Sequence, residues 1–311
     1  MKILVTGGGG FQGSHLVELL LAKGHSVSVL NTYSEQAKKN LALVLNDINL
    51  IWGSVTDNEL VEKSVRGHDV IFHLAARVNV DESRKNPFAF YHSNVLGTMY
   101  ILEAVRNERA RLIIASTCEV YGDGHVLTEN EGLKENAELR PNSPYAASKA
   151  AGDRMCHAYF KTYGVNVTIV RPFNVYGERQ KSGTFGALIP ILVAKALKGE
   201  DLTIFGDGIS TRDYSHVTDI VLGYNLILEN DSSALRGEAI NLASGCETRI
   251  CDIATFIASE LKVDVLRGEP RPGEVSRFPA DISAAKTLGY SPKVSVWNGI
   301  ARYIKWAKEN Q

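Results

Sequence analysis

Short apolar runs recur through the first half of the chain: KILVT (2–6), SVSVL (26–30), INLIW (48–52), DVIFHLA (69–75), RLIIAS (111–116) and VNVTIVR (165–171). Longer segments with helical spacing lie between them, the first marked by Leu16, Leu19, Leu20 and Lys23. Nearly continuous apolar strands alternating with helices predict a parallel sheet covered on both faces, a doubly wound α/β domain. After about residue 172 the rhythm changes to isolated helices and short strands, joined by polar stretches rich in Gly and Pro such as FGDGISTRDYSH (205–216) and RGEPRPGEVSRFP (267–279). The pattern predicts a first domain over 1–172 and a smaller α/β substrate-binding domain over 173–311, some of whose segments return to the first.

Composition narrows this picture. With 311 residues and 44% hydrophobic content the chain can bury a sizeable core. Its 34 Lys and Arg nearly balance 35 Asp and Glu, with no basic run, which argues against nucleic acid or an anionic membrane as partner. Cys118, Cys156, Cys246 and Cys251 form no CxxC pair and are too few for a disulfide framework, so a reduced, cytoplasmic protein is expected. No signal-like n-region, h-region and cleavage site is visible, and no apolar stretch reaches membrane-spanning length.

The first run leads into TGGGGFQG and then a helix, the context that gives a glycine pattern meaning. The spacing Gly7-x-x-Gly10-x-x-Gly13 suits a tight turn, a close approach of backbone to a pyrophosphate, and helix packed on strand, as in a Rossmann-type dinucleotide fold. The second strand ends on Asn31, where such folds place an acid for the adenosine ribose; no arginine follows in NTYSEQAKK, so NAD is expected rather than NADP. Further along, SPYAASK sets Tyr145 and Lys149 four residues apart at a helix start, on one face. A tyrosine acting as base near neutrality needs its pKa lowered by about three units, roughly 4 kcal/mol, which a lysine ammonium and a cationic nicotinamide favour.

Together these segments resemble the extended short-chain dehydrogenase/reductases, within them the NAD-dependent sugar-nucleotide epimerase/dehydratase family. The similarity runs through TGGGGFQGSH, HLAA (73–76), SNVLGT around Asn94, STCEVYG (116–122), PYAASK (144–149), RPFNVYG (171–177), GDGISTRDYSHVTDI (206–220) and RPGEV (271–275). It implies that Tyr145 takes a proton from a sugar hydroxyl, commonly the 4-hydroxyl, that Thr117 shares that hydroxyl, and that Lys149 holds the nicotinamide ribose. It implies coenzyme contacts at Gly7, Gly10, Phe11, Gln12, Gly13 and Asn31, then at Ser54, Val55, Leu74, Ala75, Ala76 and Asn94, besides Tyr145 and Lys149. Asn174, Arg212 and Arg271 would meet the substrate diphosphate and Glu274 a nucleotide ribose. No metal is implied: His73, His157 and His216 lack ligand spacing.

The residues after Thr117 bear on reaction class. In this family 4-epimerases tend to carry small or hydroxyl residues there, whereas 4,6-dehydratases resemble Thr-Asp-Glu or Thr-Ser-Glu and decarboxylases Thr-Ser-Glu; here the trio is Thr117-Cys118-Glu119. Once carbon 4 is a ketone, a glutamate can remove the acidified carbon 5 proton while the 6-hydroxyl leaves as water. The acid for that departure would be Cys118, Glu119 itself or a water; the other reading of Cys118 is a small buried space-filler. The trio also resembles 5,6-dehydratases. Ser54 and Asn31 replace two acids on the adenosine side, Gln12 stands at a normally apolar position, and Val78 stands where some galactose-type epimerases have lysine. The expectation is a sugar-nucleotide dehydratase acting on a UDP-, dTDP- or GDP-sugar; an epimerase, a decarboxylase and a non-catalytic NAD- or sugar-nucleotide-binding regulator are the alternatives. The resemblance further implies a homodimer built on helices near 88–107 and 145–163.

Overall fold

The computed structural model of the chain describes residues 1–122, 131–181, 187–269 and 277–310. Seven parallel strands form the central sheet: β1 (Lys2–Thr6), β2 (Ser26–Asn31), β3 (Ile48–Trp52), β4 (Val70–His73), β5 (Arg111–Ala115), β6 (Val167–Pro172) and β11 (Ala239–Leu242). Their spatial order is β3-β2-β1-β4-β5-β6-β11, so the chain reverses direction across the sheet between β1 and β4, where a crevice opens at the strand ends. Alternation along each strand feeds two cores. Ile3, Val5, Phe72 and Ile113 meet Leu16 and Leu20 of helix Phe11–Ala22 and Ile220 and Tyr224 of helix Val217–Glu229. Leu4, Ile71, Leu112 and Ile114 meet Val61, Ile101, Val105 and Cys156 on the opposite side. Both faces are dry, as the unbroken apolar runs required.

Beyond β6 the chain makes short pairs: β7 (Val175–Tyr176) with β10 (Ser215–His216), β8 (Leu202–Phe205) with β13 (Val265–Gly268), and β9 (Thr211–Asp213) antiparallel to β12 (Glu247–Arg249). These surround a separate core of Ile189, Leu192, Leu202, Ile204, Ile253, Ile257 and Ile300. The helix Pro144–Tyr163, which packs on β6 and on helix Gly97–Glu108, has clear local causes. Ser143 caps it by accepting from the Ala146 N–H at 3.1 Å, Pro144 takes the first helical position, and Gly164, at φ +68°, ends it in the left-handed region.

Candidate active site

The glycine turn occupies the sheet's crevice at the end of β1. Gly7 has φ +74°, and a Cβ there would lie 2.7 Å from the Ala75 nitrogen. A Cβ on Gly13 would run into the Gly7 carbonyl oxygen, so helix Phe11–Ala22 packs on the turn only without side chains at both places. Gly8 and Gly9 are equally tight: a Cβ would come within 2.8 Å of the Val29 side chain and 2.7 Å of Ala37 Cβ, respectively. At Gly10, which begins the helix without a side-chain cap, a Cβ would meet only the Gly7 oxygen, at 3.1 Å. The cradle is open where the helix N–H groups point outward.

Asn31 Oδ1 accepts the Gly9 N–H at 3.0 Å and Asn40 donates to the Gly9 oxygen at 3.0 Å, so two amides brace the turn at Gly9. Ser54 is engaged with Thr56, their hydroxyls 2.7 Å apart, and Val55 is buried against Gly97. Leu74, Ala75 and Ala76 leave β4 beside the glycines, Leu74 donating to the Thr6 oxygen at 3.0 Å. Asn94 clamps the next residue, accepting from the Arg77 N–H at 2.8 Å and donating to the Arg77 oxygen and Ser148 Oγ, each at 2.9 Å. It does so from a π-helical turn, Tyr91–Leu96, a local widening common at functional sites. His73, pushed by burial down to about 3 and hence neutral, links Thr6 and Thr98 hydroxyls across the sheet, a structural part.

Thr117, Tyr145 and Lys149 are all buried in one wall next to this turn. Thr117 begins the short turn Cys118–Tyr121 and hydrogen-bonds Tyr145. Lys149 donates to the Ala115 oxygen at 2.5 Å, and burial lowers its pKa to about 8. Tyr145 departs from the expectation: burial pushes its pKa up, Thr117 opposing and Glu119 and Cys118 adding to the rise. With Lys149 turned onto a backbone carbonyl, the protein's own groups do not lower the tyrosine pKa.

Glu119 opens onto the cleft yet has protein on most sides, which raises its pKa against the pull of Arg212. Cys118 is buried with Val120, Tyr121, Phe173 and Phe278; burial and Glu119 raise its pKa strongly although the Asn174 N–H and the Thr117 side chain hydrogen-bond its sulfur. Asn174, at φ +29°, also donates from its side chain to the Asp213 oxygen at 3.1 Å, which joins β6's exit to β9, the strand carrying Arg212. Arg271 and Glu274 lie outside the described residues. The sequence reading passed over Ser148 and the Ala115 carbonyl; Ser148 stood within SPYAASK, but a backbone acceptor leaves no signal in side-chain patterns. Among the described residues no group of three or more His, Cys, Asp or Glu could hold a metal, and no helix is long and apolar enough to cross a membrane.

Residues 3–243 match the model of the NAD dependent epimerase/dehydratase family. A putative UDP-glucose 4-epimerase of Methanocaldococcus jannaschii is 35% identical over 313 residues, 99% of each chain. A UDP-N-acetyl-alpha-D-glucosaminuronate decarboxylase of Bacillus cytotoxicus is 32% identical over 318 residues, 99% of this chain and 98% of the relative. Among solved structures, the dTDP-glucose 4,6-dehydratase DesIV of Streptomyces venezuelae, with NAD bound, aligns at a TM-score of 0.89 and 34% identity over 100% of this chain and 98% of that one. The chain belongs to the NAD-dependent epimerase/dehydratase family. Its relatives are sugar-nucleotide dehydratases, epimerases and decarboxylases. The glycine turn fits the coenzyme of that family, since helix Phe11–Ala22 starts without a side-chain cap and leaves its first N–H groups to a phosphate.

Proposed function

We propose that the chain is a dehydratase of UDP- or dTDP-linked hexoses, oxidising carbon 4 transiently and eliminating water across carbons 5 and 6. The carrying observation is a carboxyl of raised pKa, Glu119, facing the cleft beside the Thr117–Tyr145 pair. Bound NAD supplies the acceptor and later the donor of a hydride, so the coenzyme is unchanged over a cycle. It would lie along Gly7, Gly10, Phe11, Gln12 and Gly13, with Asn31, Ser54 and Val55 at its adenosine end and Leu74, Ala75, Ala76 and Asn94 beneath it.

Tyr145 accepts the proton of the 4-hydroxyl while Thr117 holds that oxygen, and Lys149 stands behind them. Glu119 then takes the carbon 5 proton made acidic by the ketone. Cys118, buried and held protonated, serves as filling, so the same carboxyl hands the proton on to the departing 6-hydroxyl. The C5–H and C6–O bonds break, a C5=C6 bond forms and water leaves, with Glu119 again a carboxylate; the hydride then returns from the coenzyme to carbon 6 as carbon 5 takes a proton from solvent and Tyr145 releases the one it took. Asn174 and Arg212 meet the substrate diphosphate, with Arg271 and Glu274 completing the nucleotide end. Two copies pair through Pro87–Glu108 and Pro144–Tyr163, whose Phe88, Tyr91, Met99 and Tyr163 remain exposed in the single chain.

The test is product mass after incubation with NAD and UDP-, dTDP- and GDP-sugars in heavy water. Loss of one water with solvent deuterium in the product is expected, and Glu119→Gln should still oxidise carbon 4 while losing elimination. Loss of carbon dioxide would establish a decarboxylase. An isomer of unchanged mass without deuterium would establish a 4-epimerase, and NAD binding without turnover a regulator; each of these sinks the dehydratase.

A further inference from the structure

Gln12 is the second residue of helix Phe11–Ala22, directly after the glycine turn. Its side-chain oxygen is buried and, among the described residues, has no hydrogen-bond partner. A buried carbonyl without a donor costs free energy, so the fold carries a penalty that nothing among the described residues offsets. The side of the helix it lies on is informative. His15, three residues on, reaches the Glu178 oxygen at 2.9 Å, and Glu18, a further three on, pairs with Arg179 at 2.5 Å. Residues spaced this way share a face, and this one is turned toward the segment that follows β7, away from the Asn31 brace at Gly9. Gln12 therefore stands beside the uncapped helix start, on the side opposite the adenosine end.

We propose that the Gln12 side chain is a coenzyme ligand in its own right, its oxygen accepting a hydroxyl of the nicotinamide-side ribose and its amide donating to the neighbouring phosphate. The hydroxyl is the donor that the buried oxygen needs, and the amide adds to the backbone N–H groups at the helix start without bringing charge. Gln12 is then a residue whose cost in the free protein is offset on binding.

Two variants and three ligands test this. Gln12→Met keeps the volume and removes the amide. Calorimetric titration should show NAD and ADP-ribose binding about five- to tenfold more weakly, the worth of one or two neutral hydrogen bonds, with AMP unchanged. The coenzyme-free variant should melt about 2 °C higher, because the unpaired oxygen is gone. Gln12→Glu, of the same shape, should weaken NAD more than Gln12→Met through repulsion from the diphosphate. Unchanged NAD affinity in either variant overturns the proposal. So does an equal loss of AMP, which would mean a general disturbance of the turn, or a lower melting temperature for Gln12→Met, which would mean that the oxygen already stabilises the fold.

Discussion

Lys149 and Asp153 lie one turn apart on the same helix, both buried, and their surroundings could hardly differ more. Asp153 is saturated: Arg171 grips it with Nε at 2.8 Å and Nη2 at 3.0 Å, Ser116 donates at 3.0 Å and Arg154 adds a second cation, all of which hold its carboxyl below the usual range against burial. Arg171 passes the contact on to Tyr121, whose hydroxyl donates to Asn241 of β11 at 2.7 Å. Lys149 has one backbone carbonyl, and its pKa falls to about 8. The Asp153 end of this one-turn stretch uses its charge to fix position among β6, β11 and the Cys118–Tyr121 turn; the Lys149 end leaves charge and hydrogen-bonding capacity unspent at the cleft. Under-pairing is the mark of the functional end.

Removing a group from the under-paired end should cost chemistry and leave the fold alone. Tyr145→Phe deletes one oxygen, and about a thousandfold loss in kcat is expected, with NAD affinity and melting temperature unchanged. A variant retaining a tenth of wild-type kcat would remove Tyr145 from the chemistry. The saturated end should behave the opposite way. Asp153→Asn leaves Arg171 buried without its carboxylate, a loss of about 3 kcal/mol that should lower the melting temperature by roughly 6–12 °C. Turnover per folded molecule should stay within about threefold at low temperature. If the variant melts like the wild type, the network is not what holds the helix.

What the sequence made legible follows from how local each signal is. The runs that became β1, β2 and β4 to β6 announced themselves because both faces of the sheet are dry there, whereas edge strand β3 is only partly covered. Their ends did not: DVIFHLA stays apolar to Ala75, but the ladder stops at His73, where the backbone turns into the crevice. Strand β11, four residues with Asn241 among them, gave no apolar run; it pairs with β6, buries Ile240 and Leu242 in the core and sets Asn241 against Tyr121. Thr117, Tyr145 and Lys149 stand in compact motifs, whereas Asn94 with Ser148 and Asp153 with Arg171 meet across the fold at no fixed spacing. Burial misled the reading of Tyr145: a Tyr–Lys pair on one face suggests a lowered tyrosine pKa, and only coordinates show that Lys149 turns to Ala115.

The smallest effect probes Lys149 itself. Burial lowers its folded-state pKa to about 8, so between pH 8 and pH 10 the unfolded chain binds the extra proton. Stability contributed through this group accordingly rises with pH in that window, by roughly 1.4 kcal/mol per pH unit at the steepest. Cys118 and Cys156, whose pKa values burial raises, tilt the curve the other way as their unfolded counterparts ionise, so the total slope is ambiguous. The difference between wild type and Lys149→Met isolates the lysine. Denaturant titrations of coenzyme-free protein at pH 7, 8, 9 and 10 should find the variant more stable at pH 7 and the gap closing toward pH 10. A gap that stays constant would mean that Lys149 keeps its proton throughout and is as well paired as Asp153, and the contrast between the two neighbouring residues would fail.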